Sequence, residues 1–201
     1  FHSIVHQHNY SMVIYLCNLL IIKTIVCQSS FHKKILESNL NIQNVINLSG
    51  NLWSIDSLDK MRVVSQKPKE DRRSIMDSNI GHKNTAGSIS FCAHKGYSYE
   101  LIKDSNYFNF LEKLGSNKKF VFLPKTPETL SRVIVEARMM GCSVLTNGLV
   151  GAAQETWFNL KGDELIDYMI KKRSDILSIF ETLIVGDKKQ TKPLVSMITT
   201  F

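Results

Sequence analysis

Residues 120–146 read FVFLPKTPETLSRVIVEARMMGCSVLT, and this stretch decides the fold class. Lys119–Leu123 is an almost continuous apolar run, the pattern of a strand buried on both faces of a parallel sheet. Thr126 then stands where an N-cap is wanted, Pro127 fits a first helical position and Glu128 falls in the first turn. The spacing predicts a helix over Pro127–Met140, with Leu130, Val133, Ile134 and Ala137 on the face turned to the sheet. Gly141 supplies a C-terminal stop, and Cys142–Thr146 reads as the next strand. Strand, helix and strand in this order make a βαβ unit.

The same alternation extends outward. Upstream lie a strand at Ser74–Asp77, a helix at Asn84–Lys95, a strand at Tyr97–Ile102 and a helix at Tyr107–Leu114. Downstream, Asp163–Phe180 reads as a long helix. Strands alternating with helices of this length predict an α/β fold with a Rossmann-like parallel sheet and flanking helices. Lys23–Ser30 and Asn44–Leu48 look like strands flanking a helix at Phe31–Asn39, and Asn51–Val64 like a short helix. The polar run Ser65–Arg73 (SQKPKEDRR) reads as a linker.

Composition narrows the function class only loosely. The 201 residues are 43% apolar and 21% charged, with a formal net charge of +7 that favours anionic partners. The cations are scattered, and no aromatic-interleaved basic patch or zinc-finger spacing supports nucleic-acid binding. Cys17, Cys27, Cys92 and Cys142 form no C-x-x-C pair and read as reduced, buried thiols of a cytoplasmic protein. The apolar stretch Met12–Cys27 is broken by Asn18 and Lys23, falls short of the ~20 residues of a membrane span and reads as buried helix and strand. His2 and His6, four apart, and His8 are read as exposed or packed rather than as metal ligands, and no metal is expected. Trp53 and Trp157 are read as packing residues, and Lys171–Arg173 as a solvated face that leaves peripheral contact with anionic lipid open.

The helix predicted after Lys119–Leu123 would point its N-terminus at the carboxyl edge of the sheet, where ligands of such folds bind. The backbone N–H groups of Glu128–Ser131, with Lys125 beside them, would suit a phosphate or diphosphate. Glu128 and Glu136 would stand roughly 12 Å apart along the helix axis, a span that suits the sugar and the ribose of one nucleotide sugar.

Taken in order, Pro124, Glu128, Val133, Glu136-Ala137, Gly141 and Gly151…Glu155 resemble the donor-site signature of the family 4 glycosyltransferases. The resemblance is dense over residues 105–160 and extends back to about Ser74. Pro124–Val133 is similar to a bacterial subgroup used in surface-polysaccharide assembly. The resemblance implies the C-terminal half of a GT-B fold and a cytoplasmic transferase that moves a sugar, with retention, from a nucleotide-diphosphate donor to a saccharide or lipid-linked acceptor. It implies no metal and no cofactor. By position, Glu128 would hold the donor sugar and stabilise charge at its anomeric carbon. The amides of Thr129, Leu130 and Ser131 would hold the diphosphate, with Lys125 and Thr126 adjoining. Glu136 would accept from the ribose hydroxyls, and Lys83 would neutralise the leaving diphosphate. His82, Arg132 and Glu155 form a second tier. His82 is a phosphate or acceptor contact or a loop histidine without a role, Arg132 reaches the site from the helix, and Glu155 either meets ligand or caps a helix. Two departures stand out: Ser78 occupies the place of a usual basic residue, and Thr129-Leu130-Ser131 replaces the usual Gly-aromatic-Gly.

The resemblance also implies a domain plan. Residues 1–49 would be a remnant of the acceptor half, 50–73 the crossing, 74–183 the nucleotide-sugar domain and 184–201 a linker. Lys192–Phe201 is similar to the first strand of a family 2 glycosyltransferase, so a fused second transferase is expected and the chain reads as cut from a longer protein at both ends. Two other functions compete: a non-catalytic nucleotide-sugar-binding module scaffolding an adjacent transferase, and a GT-B-shaped epimerase.

Overall fold

The computed structural model describes residues 24–40 and 42–187. Two parallel sheets carry the chain. The first is a small unit of β1 (Ile25–Cys27), α1 (Ser30–Leu40) and β2 (Val45–Asn47), with Ile25 opposite Val45 and Cys27 opposite Asn47. After α2 (Ile55–Ser65) come β3 (Glu70–Met76), α3 (Thr85–His94), β4 (Tyr99–Ile102), α4 (Tyr107–Gly115), β5 (Asn117–Phe122), α5 (Arg132–Met139), β6 (Ser143–Thr146) and α6 (Asp163–Asp187). The second sheet runs β4-β3-β5-β6, all parallel, which makes the molecule an α/β protein with a Rossmann-like sheet.

Side-chain alternation on β5 builds both layers. Phe120 and Phe122 point into the main core with Leu58, Met61, Leu111, Leu114, Ile134, Ala137, Leu165 and Ile166, from α2, α4, α5 and α6. Val121 points the other way, joining Ile75 and Cys92 under α3. All three β5 side chains are buried, as the apolar run predicted, and each phenylalanine contributes about 1.5–3 kcal/mol by leaving water. Ser54 caps α2 by accepting from the Ser57 amide, and Asn106 caps α4 by accepting from the Asn109 amide at 3.0 Å.

Helix α6 joins the two units. Its first turns place Leu165, Ile166 and Met169 in the main core, and further along Ile176 packs against Val26 and Leu48 of the small unit. The opposite face of that unit closes on itself through Ile25, Cys27, Leu36, Leu40 and Val45.

The central strand starts at Glu70, not Ser74, so the second half of the presumed linker Ser65–Arg73 is sheet. Its charges find partners across the sheet surface. Asp71 lies 3.6 Å from Lys119, Arg72 lies 3.5 Å from Glu100, and the Arg73 guanidinium sits 3.6 Å above the Tyr97 ring. The larger correction falls on the predicted helix Pro127–Met140, which begins only at Arg132. Glu128 pairs with Val150 in strand fashion instead, its amide donating to Leu149 O and its carbonyl accepting from the Gly151 amide. Thr126 and Pro127 therefore cap nothing, and Ser131 is the N-cap residue. At the other end Gly141, at φ +82°, ends the helix as expected.

The segment Met12–Lys23, the histidines at 2, 6 and 8, Cys17 and the tail from Lys192 lie outside the described residues. Among the described residues, Cys27, Cys92 and Cys142 are buried free thiols, and no helix is long and apolar enough to cross a membrane. Trp53 and Trp157 are buried, as read from the sequence.

Candidate functional site

In an open parallel sheet, ligands bind beyond the carboxyl ends of the strands at the point where strand order reverses. Here the chain steps from β3 to β4 on one side, then crosses to β5 on the other, so the reversal falls between β3 and β5. The loops leaving these two strands carry Lys83 and Glu128.

The first loop follows β3 and ends in a single 3₁₀ turn, Gly81–Lys83. Thr85 pins it by donating to Met76 O at 2.8 Å and accepting from the Ser78 amide at 3.1 Å. Asn84 ties it to β5, its side-chain amide donating to Leu123 O at 2.7 Å. A second tie runs from the Lys125 amide to His82 O at 2.9 Å. The result brings Lys83 Nζ to 2.8 Å from Glu128 Oε1, with the two side chains 21% and 14% exposed. The ion pair thus joins the loops of the two strands that flank the switch point.

The second loop is held from below. Besides the Glu128–Val150 bridge, the Ala152 amide donates to Leu130 O at 3.1 Å. The two segments lie so close that a Cβ on Gly151 would come within 2.0 Å of Thr129 O, which only glycine allows. Leu130 buries its side chain in the main core and offers the site only backbone. Ser131 takes a left-handed conformation, φ 67° and ψ 85°. It is 8% exposed, and its hydroxyl finds no partner among the described residues. Because α5 begins only at Arg132, the amides of Glu128–Ser131 precede the helix and are not the helix-end amides expected, and that of Glu128 is committed to Leu149 O.

Glu136 is 3% exposed on α5. Its Oε1 accepts from Trp53 Nε1 at 3.0 Å and from the Tyr107 hydroxyl at 2.8 Å, while Arg132 Nε lies 3.5 Å away. Arg132 leans over the Trp53 ring at 5.0 Å and donates to Leu52 O. Burial, then the Glu136 charge and its hydrogen bond, push the Tyr107 hydroxyl far up, so it stays a proton donor across the ordinary pH range. Sequence reasoning read Trp53 as packing and passed over Tyr107. The signal was available: a buried indole or phenol needs a partner for its polar tip, and a buried carboxylate needs donors.

The remaining candidates divide. Lys125 is exposed and meets His82 through backbone only, and Thr126 is half-buried in the same loop. Thr129 faces the small unit, where its hydroxyl donates to Gln28 Oε1 at 3.0 Å and its carbonyl accepts from Ser29 Oγ. Glu155 also turns to that unit, accepting from the Ser30 amide at 2.6 Å and from Ser49 Oγ. Ser30 opens α1, so Glu155 caps a helix of the neighbouring unit. Comparison of the chain with protein-family models, with curated proteins and with solved structures gives no match in any of the three.

Proposed function

We propose that this chain carries the nucleotide-sugar site of a glycosyltransferase that moves a sugar to a saccharide or lipid-linked acceptor with no metal. The observation that supports it most is the Lys83–Glu128 pair at the switch point, at 2.8 Å. In this reading Lys83 neutralises charge on the departing diphosphate. Glu128, its backbone fixed by Val150, accepts from the sugar hydroxyls and stabilises positive charge at the anomeric carbon. The loop Thr129–Ser131 leads into α5 and carries a buried, unpartnered serine hydroxyl, which suits the diphosphate oxygens. Glu136, further along α5, then faces the ribose. Catalysis is positioning and electrostatics, with the ion pair opening as each member takes its part of the donor.

In a two-half architecture the small unit would stand on the acceptor side of the site. Gln28 and Ser29, at the end of β1, meet Thr129, so the Glu128 loop lies at the junction of the two units. Turnover separates the enzyme from a binding-only module. The test incubates the 201-residue chain with a panel of nucleotide sugars and a mixture of saccharide acceptors and measures released nucleoside diphosphate. Release from one donor is expected to fall at least ~100-fold in Glu128→Gln, whose isosteric amide keeps the hydrogen bonds but not the charge. Binding of a donor with no release from it, in wild type and variant alike, would favour the scaffold module. A product changed in the sugar with no transfer would favour an epimerase.

A further inference from the structure

The paired donors on Glu136 carry an inference beyond the residues assigned so far, and it rests on the nucleotide-sugar reading above. A carboxylate that is 3% exposed gains orientation only from what touches it, and both strong contacts here fall on one oxygen. Trp53 Nε1 reaches Oε1 at 3.0 Å from the segment before α2, and the Tyr107 hydroxyl reaches the same atom at 2.8 Å from the first turn of α4. Among the described residues no hydrogen bond falls on Oε2, and that atom is not among the buried polar atoms left without a partner. The carboxylate is thus held through one oxygen, while the other takes no hydrogen bond from the described residues.

Both donors are neutral, and that matters chemically. The nearest cation, Arg132 Nε, stands further off at 3.5 Å from the same oxygen, so the indole N–H and the phenol fix the direction of the carboxylate without neutralising it themselves. Tyr107 is also kept protonated by burial and by the neighbouring Glu136 charge, so its hydroxyl remains a donor over the ordinary pH range. Tyr107 is 37% exposed, which places it between the carboxylate and solvent.

We propose that Tyr107, with Trp53, is a positioning residue that aims Oε2 of Glu136 at the vicinal hydroxyls of a bound ribose and so sets the preference for ribonucleoside over deoxyribonucleoside diphosphates. The experiment measures dissociation constants of the four common ribonucleoside diphosphates, their 2′-deoxy counterparts and inorganic pyrophosphate, for wild type and Tyr107→Phe. The best-bound ribonucleotide is expected to exceed its deoxy counterpart by about 10-fold in wild type, the worth of one charge-assisted hydrogen bond. Tyr107→Phe brings that ratio to near unity while pyrophosphate binding stays unchanged. A purely structural tyrosine would lower the melting temperature and leave the ratio intact, which overturns the proposal. Trp53→Phe removes the other donor and is expected to reduce the ratio in the same direction, giving a second reading if Tyr107→Phe folds poorly. A chain that binds a ribonucleotide but keeps its discrimination in both variants refutes this inference alone. A folded chain that binds no nucleotide at all removes the nucleotide-sugar reading and this inference with it.

Discussion

Ser131 holds a left-handed backbone at the entrance to α5, a conformation that costs an L-residue about 1–2 kcal/mol relative to the ordinary regions. Its hydroxyl recovers nothing in the free protein, being buried without a partner. Ser131→Gly is therefore expected to raise stability by about 0.5–1 kcal/mol after the greater freedom of glycine in the unfolded chain is subtracted, as read from the denaturant midpoint. No change, or a loss, would show that the serine has a stabilising contact in the folded chain. This conformation was not legible in the sequence, because serine carries no mark of positive φ. The resemblance came closest, since it has glycine where Ser131 stands. Burial was more legible than conformation: Leu130, Ile134 and Ala137 are all buried as their spacing required, although Leu130 precedes the helix.

Elements were read well where they are apolar and poorly where pairing is long-range. The strand at Phe120–Phe122 and the long final helix needed only local pattern. The start of α5 did not follow local pattern, because Thr126, Pro127 and Glu128 make a good helix opening by themselves. Pairing of Glu128 with Val150, 22 residues on, overrides that preference, and Gly151 makes the close approach feasible. Strand β3 was clipped for a similar reason: its charged half is stabilised by cross-strand ion pairs that no single segment displays. The capping of α1 by Glu155 spans 125 residues of sequence. Glu155→Ala should cost about 1–2 kcal/mol and loosen α1 before the main sheet. Amide hydrogen exchange checks this, with protection expected to fall over residues 30–40 and to persist over 117–122. Uniform loss across both would mean that the two units unfold together and that the cap has no local role.

For the whole molecule, the decisive feature is the strand order β4-β3-β5-β6, which places the loops of β3 and β5 side by side. The alternation of strands and helices made the parallel sheet legible. The order of strands, and with it the meeting of Lys83 and Glu128 across 45 residues, follows only from the crossing of the chain over β3. Candidate residues taken from the signature therefore fall into two groups in space. Lys83, Glu128, Ser131 and Glu136 lie around the switch point and α5, whereas Thr129 and Glu155 lock the small unit onto the sheet domain.

The central claim is that this region binds a nucleoside diphosphate, and thermal denaturation with added ligand tests it most directly. Melting curves of the chain would be recorded with a panel of nucleoside diphosphates and nucleotide sugars, for wild type, Lys83→Ala and Glu136→Ala. At a ligand concentration near 100 times its dissociation constant, about 2.7 kcal/mol of stabilisation should raise the melting temperature by about 5–10 °C for one nucleotide base. The account predicts that this shift is lost in both variants. A folded wild type that no nucleotide stabilises, or a shift that survives Lys83→Ala and Glu136→Ala alike, would contradict it.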